Sequence, residues 1–110
     1  MARHQVPPLT AVEREDHRLR AIEARKQRAR MLGGVREGRV DPRDVLMRRD
    51  RVAMRTRVEA LLRAMPGVGP ARAQAAMHEL GISPRRRVGG LGPRQRERLG
   101  AWIASRDDER

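Results

Sequence analysis

The chain contains no cysteine, no phenylalanine and no tyrosine; its one aromatic residue is Trp102, and Lys26 is the one lysine among 26 basic residues. Without cysteine there is no disulfide framework, no zinc knuckle or Cys-based finger, and no thiol nucleophile. With a single ring, nucleic-acid modules that stack bases on aromatics, the RRM and OB types, have almost nothing to stack with. The apolar runs are short and interrupted by arginine. The opening residues Arg3-His4-Gln5 and Pro7-Pro8 hold no hydrophobic stretch, so neither a membrane span nor a secretory signal is expected. These absences are consistent with a reducing cytoplasm.

What is present is positive charge. A chain of 110 residues, read as one small domain with one modest core, carries 26 basic against 14 acidic residues, a formal net charge of +12. All the basic residues but Lys26 are arginine, whose planar guanidinium forks bidentately onto phosphate oxygens. The excess points towards nucleic acid, although biased composition accounts for part of it.

The residue pattern is helical throughout, with no period-two alternation. Thr10-Ala11-Val12-Glu13 fits a capping box, and no Gly or Pro follows before Gly33-Gly34, which predicts one long helix over residues 11 to about 32. Its apolar residues Val12, Leu19, Ile22, Ala29 and Leu32 form only a thin stripe, the pattern of an arm partly docked on a body. Asp41-Pro42 restarts a short helix holding Val45, Leu46 and Met47. Thr56-Arg57-Val58-Glu59 repeats the capping box, and Val58, Leu61, Leu62 and Met65 fall on one helical face. Pro66-Gly67-Val68-Gly69-Pro70 breaks the chain; Ala73, Ala76, Met77 and Leu80 follow, and Gly81-Ile82 reads as a left-handed cap with its apolar contact. Ser83-Pro84 suggests a short helical turn. Gly89-Gly90-Leu91-Gly92-Pro93 is a second glycine turn, leading to a last helix with Leu99, Trp102 and Ile103 inward. The expected core is Val58, Leu61, Leu62, Met65, Met77, Leu80, Leu99, Trp102 and Ile103. The expected organisation is an N-terminal tail (1–9), a helical extension (10–52), an all-α body (53–104) and a C-terminal tail (105–110).

The two glycine turns carry the chemistry. Gly67 and Gly69 let the main chain approach a ligand, and the free N–H groups of the turn and of the helix opening at Pro70 suit a phosphate. The same residues also fit a tight helix–helix corner. Charge favours the phosphate: residues 48–98 hold thirteen bases and four acids, three-quarters of the net charge. Candidate contacts are Gly67, Val68, Gly69, Arg72, Arg85, Arg86, Arg87, Gly90, Leu91, Gly92 and Arg94, with Arg55 and Arg57 beside them. A second basic face on the long helix would use Arg14, Arg18, Arg25 and Arg28; the alternative is that this helix only shields the core.

Other chemistry is poorly supported. His4, His17 and His78 lack metal-ligand spacing, so no metal or cofactor is expected. The carboxylates suit helical ion pairs, Asp16 with Arg20 and Glu59 with Arg63. No Ser/His/Asp set, Walker loop or HExxH occurs, and the chain is read as non-enzymatic.

Pro66-Gly67-Val68-Gly69-Pro70-Ala71-Arg72-Ala73 resembles the hairpin of helix-hairpin-helix and helix-two-turn-helix proteins, shared by repair enzymes and a small-subunit ribosomal protein. Over residues 6 to 104 the chain resembles the integration host factor family of actinobacteria. The residues that carry this are Pro7-Pro8-Leu9-Thr10, Val58-Glu59-Ala60-Leu61-Leu62, Leu80-Gly81-Ile82-Ser83 and Arg86-Arg87-Val88-Gly89-Gly90-Leu91-Gly92 followed by Arg94-Gln95. The resemblance implies a helix-two-turn-helix protein of the nucleoid that binds duplex DNA with little sequence preference, bends it and influences supercoiling. It also implies participation in phage integrase–DNA complexes; a monomer in solution is expected. The rivals are a ribosomal or structured-RNA-binding protein and a fragment of a repair enzyme.

Overall fold

Each helix of the chain begins where the sequence supplies a stop to what precedes it. The structure, a computed structural model, describes residues 10–108. Helix α1 (Ala11–Arg36) is followed by α2 (Pro42–Met47), α3 (Arg51–Arg55), α4 (Val58–Ala64), α5 (Pro70–Glu79), a 3₁₀ turn (Val88–Gly90) and α6 (Pro93–Asp108). The all-α class is as expected, and no strand forms among the described residues. The expected tail at residues 1–9 lies outside them.

Helix α1 starts as expected, with the Thr10 hydroxyl accepting from the Glu13 amide at 3.1 Å. Its end differs from expectation. The helix runs through Gly33-Gly34 to Arg36 and is closed by Gly38, whose φ is +78°, with the Arg39 and Val40 amides donating back to Gly34 O. Gly34 serves packing: a Cβ there would lie 2.5 Å from Cγ2 of Val40 as the chain doubles back. The docking face also differs. Val12 and Leu19 are 71% and 51% exposed, so the stripe that includes them covers nothing in the first turns. Met31, Gly34 and Val35, in the C-terminal third of α1, are its buried residues, while Ile22, Ala24 and Arg28 before them are half-buried.

Segments α2 and α3 are drawn into the core as well. Val45, Leu46 and Ala53 are buried together with Met31 and Val35, whereas Met47 is exposed. The core therefore begins about twenty residues before the compact body expected from residue 53. At 1.5–3 kcal/mol for each large apolar side chain, roughly, this N-terminal contribution is substantial for so small a domain. The expected core residues are buried, with Trp102 half-buried against it. The last helix continues to Asp108, past the point where a tail was expected.

Thr56 is a correction. It is not the N-cap of α4, which is Arg57 with no side-chain cap bond, but the C-cap of α3. Thr56 is fully buried, and its hydroxyl donates to Val52 O at 2.7 Å. The first amide of α4 is satisfied instead by the main chain, Val58 N donating to Arg86 O at 3.0 Å while Val88 N donates to Thr56 O at 2.9 Å. These reciprocal bonds form an isolated antiparallel bridge between Arg57 and Arg87. It pins the segment before the second glycine turn to the start of α4. Ser83-Pro84 opens a turn rather than a helix, closed by Arg86 N on Ser83 O at 2.9 Å. Gly81 has φ +68° and Ile82 N reaches back to Met77 O at 2.8 Å, the left-handed cap expected there.

Candidate nucleic-acid interface

At the first glycine turn, Val68 is buried and its amide donates to Met65 O at 3.1 Å, so the turn is anchored by an apolar side chain between two glycines. Gly67 has φ +80°, which an L side chain resists, and the corner itself requires it. Gly69 is different. Its backbone is extended (φ −91°, ψ −176°), open to any residue, and a Cβ there would meet nothing within 4 Å. Nothing inside the fold explains a glycine at this position.

Gly69 is the N-cap of α5 and makes no side-chain cap bond; the first turn of α5 holds no acidic residue. Ala73 N donates to Gly69 O at 3.0 Å, while the amides of Ala71 and Arg72 precede the helical ladder. A Ser, Thr, Asn or Asp would close such an end with its own oxygen. Here the N–H groups and the positive end of the helix dipole face outward, beside Arg72, which makes one long bond of 3.4 Å to Gly67 O.

The second turn repeats the arrangement and is held by three side chains. Gln95 Oε1 accepts from Gly92 N at 3.0 Å while its Nε2 donates to Gly81 O at 3.0 Å, tying the turn to the end of α5. Arg96 donates to Val88 O at 3.0 Å, to Leu91 O at 3.5 Å and to Leu46 O at the end of α2. Arg86 donates to Gly90 O at 2.9 Å. These groups position the turn. Gln95 had a signal in the sequence, since it sits three residues after Gly92 as the Gln of a capping box does; nothing local announced Arg96.

The candidate residues thus divide by what they touch. Gly67, Gly69, Gly90 and Gly92 place main chain at the two turns. Val68 and Leu91 turn their side chains into the core, so only their main chain is available to a ligand. Arg85, Arg87, Arg94, Arg55 and Arg57 are exposed, and none has a carboxylate within salt-bridge reach among the described residues. Of the α1 candidates, Arg18 is held by Glu15 at 2.6 Å, with the carboxyl of Glu15 lowered from its ordinary pKa by that hydrogen bond. Arg14 also has a partner. Arg25 and Arg28 lie across a cleft from Arg51, Arg55, Arg57 and Arg87; Arg20 and Glu23 also line it, and neither Arg20, expected as a partner of Asp16, nor Arg51 was among the candidate contacts. Of the two expected ion pairs, Glu59–Arg63 forms at 3.8 Å.

This arrangement, two glycine turns each opening a helix behind it, is that of the helix-two-turn-helix class, and residues 35–102 match the S13-like H2TH domain. The chain is 40% identical over 96 residues to the integration host factor of Mycolicibacterium smegmatis, covering 86% of this chain and 91% of that protein. It is 37% identical over 92 residues to the integration host factor of Streptomyces coelicolor, covering 82% of this chain and 86% of the relative. A solved structure of sIHF bound to an 8-base-pair palindromic DNA superimposes with a TM-score of 0.74 at 35% identity, covering 76% of this chain and 97% of that one. The chain belongs to the integration host factor family of actinobacteria.

Proposed function

We propose that this protein is a non-enzymatic, nucleoid-associated protein of the cytoplasm that binds duplex DNA by its phosphate backbone. One observation carries the reading: both glycine turns lead into helices with no acid in the first turn, among arginines that have no carboxylate partner among the described residues. Backbone amides and the helix dipole supply fixed partial charge, and Arg55, Arg57, Arg72, Arg85, Arg87 and Arg94 supply full charge. Neither reads bases, so sequence preference is weak. The sIHF–DNA structure supports the same partner. A second basic face, on α1 at Arg25 and Arg28, lets one monomer touch two backbone stretches, bend the DNA between them and alter supercoiling, a bend that would serve a phage integrase–DNA complex.

The test is fluorescence anisotropy on several unrelated duplexes over a salt series. With four to six phosphates neutralised, log K against log salt falls with a slope of roughly −4 to −5, the same for each duplex. A flat salt response, or one duplex preferred by orders of magnitude, overturns the proposal. The S13-like character of the domain favours one second reading, structured RNA. Competition between duplex DNA and a folded RNA of equal length decides between them.

A further inference from the structure

We propose that the cleft between α1 and the body is a binding site for a nucleoside polyphosphate. The cleft has a volume of about 600 Å³, within the range of small-molecule sites, about 300–1,000 Å³. Its walls come from separate elements: Arg25 and Arg28 on α1, Arg51 and Arg55 on α3, and Arg57 and Arg87 at the bridge. None of these six forms an ion pair among the described residues.

Three features ask for an anion of particular shape. Arg57 and Arg87 stand directly opposite one another in a pair whose reciprocal bonds lie on the flanking residues, the closer of the two antiparallel spacings, so two like charges root side by side. A phosphate between them turns that repulsion into attraction. Among the described residues Arg28 Nε is buried without an acceptor, a donor that a ligand oxygen would satisfy. Between the charged walls, Ala24, Val52 and Ala60 are half-buried and give an apolar floor. A bare phosphate chain leaves that floor wet; a nucleoside covers it, and its base stacks on a guanidinium plane as on an aromatic ring. Glu23 is the one acid in the lining, against seven arginines, so the concave walls are strongly positive and concentrate the field on such a ligand.

Isothermal titration at low salt with ATP, inorganic tripolyphosphate and adenosine as separate probes tests this. One ATP per monomer is expected, at least fivefold tighter than tripolyphosphate, with no heat from adenosine. Replacing one exposed arginine on each wall, Arg25→Gln with Arg51→Gln, lowers ATP affinity at least tenfold while circular dichroism stays unchanged. Ala24→Asp, which sets a carboxylate on the floor, does the same by a different route. Arg85→Gln with Arg94→Gln, outside the cleft, leaves ATP affinity as it was while weakening duplex DNA. ATP binding no tighter than tripolyphosphate overturns the proposal, as does binding that all the arginine variants weaken alike. The DNA reading is judged separately by the duplex arm.

Discussion

The helix starts in the first half of the chain and those after the two glycine turns are built in opposite ways. Thr10, Asp41 and Asp50 each accept a backbone amide at the head of α1, α2 and α3. Before α5 and α6 stand Gly69 and Gly92, and neither helix has an acid in its first turn. The ion pairs follow much the same division. Arg18, Arg39, Arg43 and Arg48 are paired with Glu15, Glu37, Asp41 and Asp50. Beyond Arg63, paired with Glu59, Arg72, Arg85, Arg87, Arg94 and Arg98 lack such partners among the described residues. The first half closes its helix starts with its own carboxylates, although Arg25, Arg28, Arg51 and Arg55 stand outside its ion pairs, whereas the second half leaves both its helix starts and its arginines for a ligand.

The largest break in this comparison comes from the unpaired arginines. Replacing Arg85, Arg87 and Arg94 together by Gln removes up to three phosphate contacts, which lowers affinity for every duplex on the order of a hundredfold and shallows the salt slope by about one unit per contact. Thermal stability moves little, within about half a kcal/mol per exposed site. Arg86 is left out because its guanidinium holds Gly90 O. Loss of affinity for one sequence alone would make these arginines base readers.

Gly69→Asp sharpens the comparison directly by closing α5 as α2 and α3 are closed. The extended backbone and empty space at Gly69 accept the side chain. An Asp cap leaves the fold no less stable and adds up to about 0.5 kcal/mol over Gly. It also sets a carboxylate where the phosphate should lie, and affinity falls roughly tenfold or more, since a hydrogen bond to a charged group is worth about 1.5–3 kcal/mol. A variant as stable as its parent that binds DNA equally well would show that the turn is only a corner. Gly67 is the poorer probe, because its positive φ makes any substitution a test of strain.

Arg96→Gln gives a smaller effect of another kind. It releases three carbonyls, those of Leu46, Val88 and Leu91, and should cost about 1–3 kcal/mol of stability, measured by urea unfolding. Duplex affinity falls a fewfold because the second turn loosens, yet the salt slope holds, since no phosphate contact is removed. A slope that shallows by about one unit would make Arg96 a phosphate ligand.

How much of this was legible in the sequence depends on the range of the interaction. The glycine turns, the left-handed cap at Gly81 and the Asp41-Pro42 start are local, set by a few neighbouring dihedrals and caps, and they stand where their residues predict. Thr56 misled because its buried side chain bonds back to Val52, and the end of α4 that it would have capped is satisfied by Arg86, thirty residues away. Gly33-Gly34 misled for the same reason, since Val40 decides where α1 packs and turns. In the site, the arginines were visible as charge, but which of them grip main chain (Arg86, Arg96) and which stand free is a tertiary fact.

The smallest effect concerns the half with capped helix starts. Asp41 is lowered from its ordinary pKa chiefly by its hydrogen bond with Arg43, and Asp50 by that with Arg48; desolvation opposes both. A folded pKa below the unfolded one means that the stabilisation is fully present above the unfolded value and is lost as pH falls through the folded one. Both side chains are more than a third exposed or close to it, so solvent screens the pairs and the two together contribute no more than about 1 kcal/mol. Asn keeps the cap and removes the proton. Comparing urea midpoints at pH 7 and pH 3 for the parent and for Asp41→Asn with Asp50→Asn, the double variant should lose less stability on acidification, by that small margin. Helices α5 and α6, which begin without carboxylates, contribute nothing to the difference. If parent and variant lose stability equally, the carboxylates act as neutral acceptors, and the contrast between the two halves rests on the arginines alone.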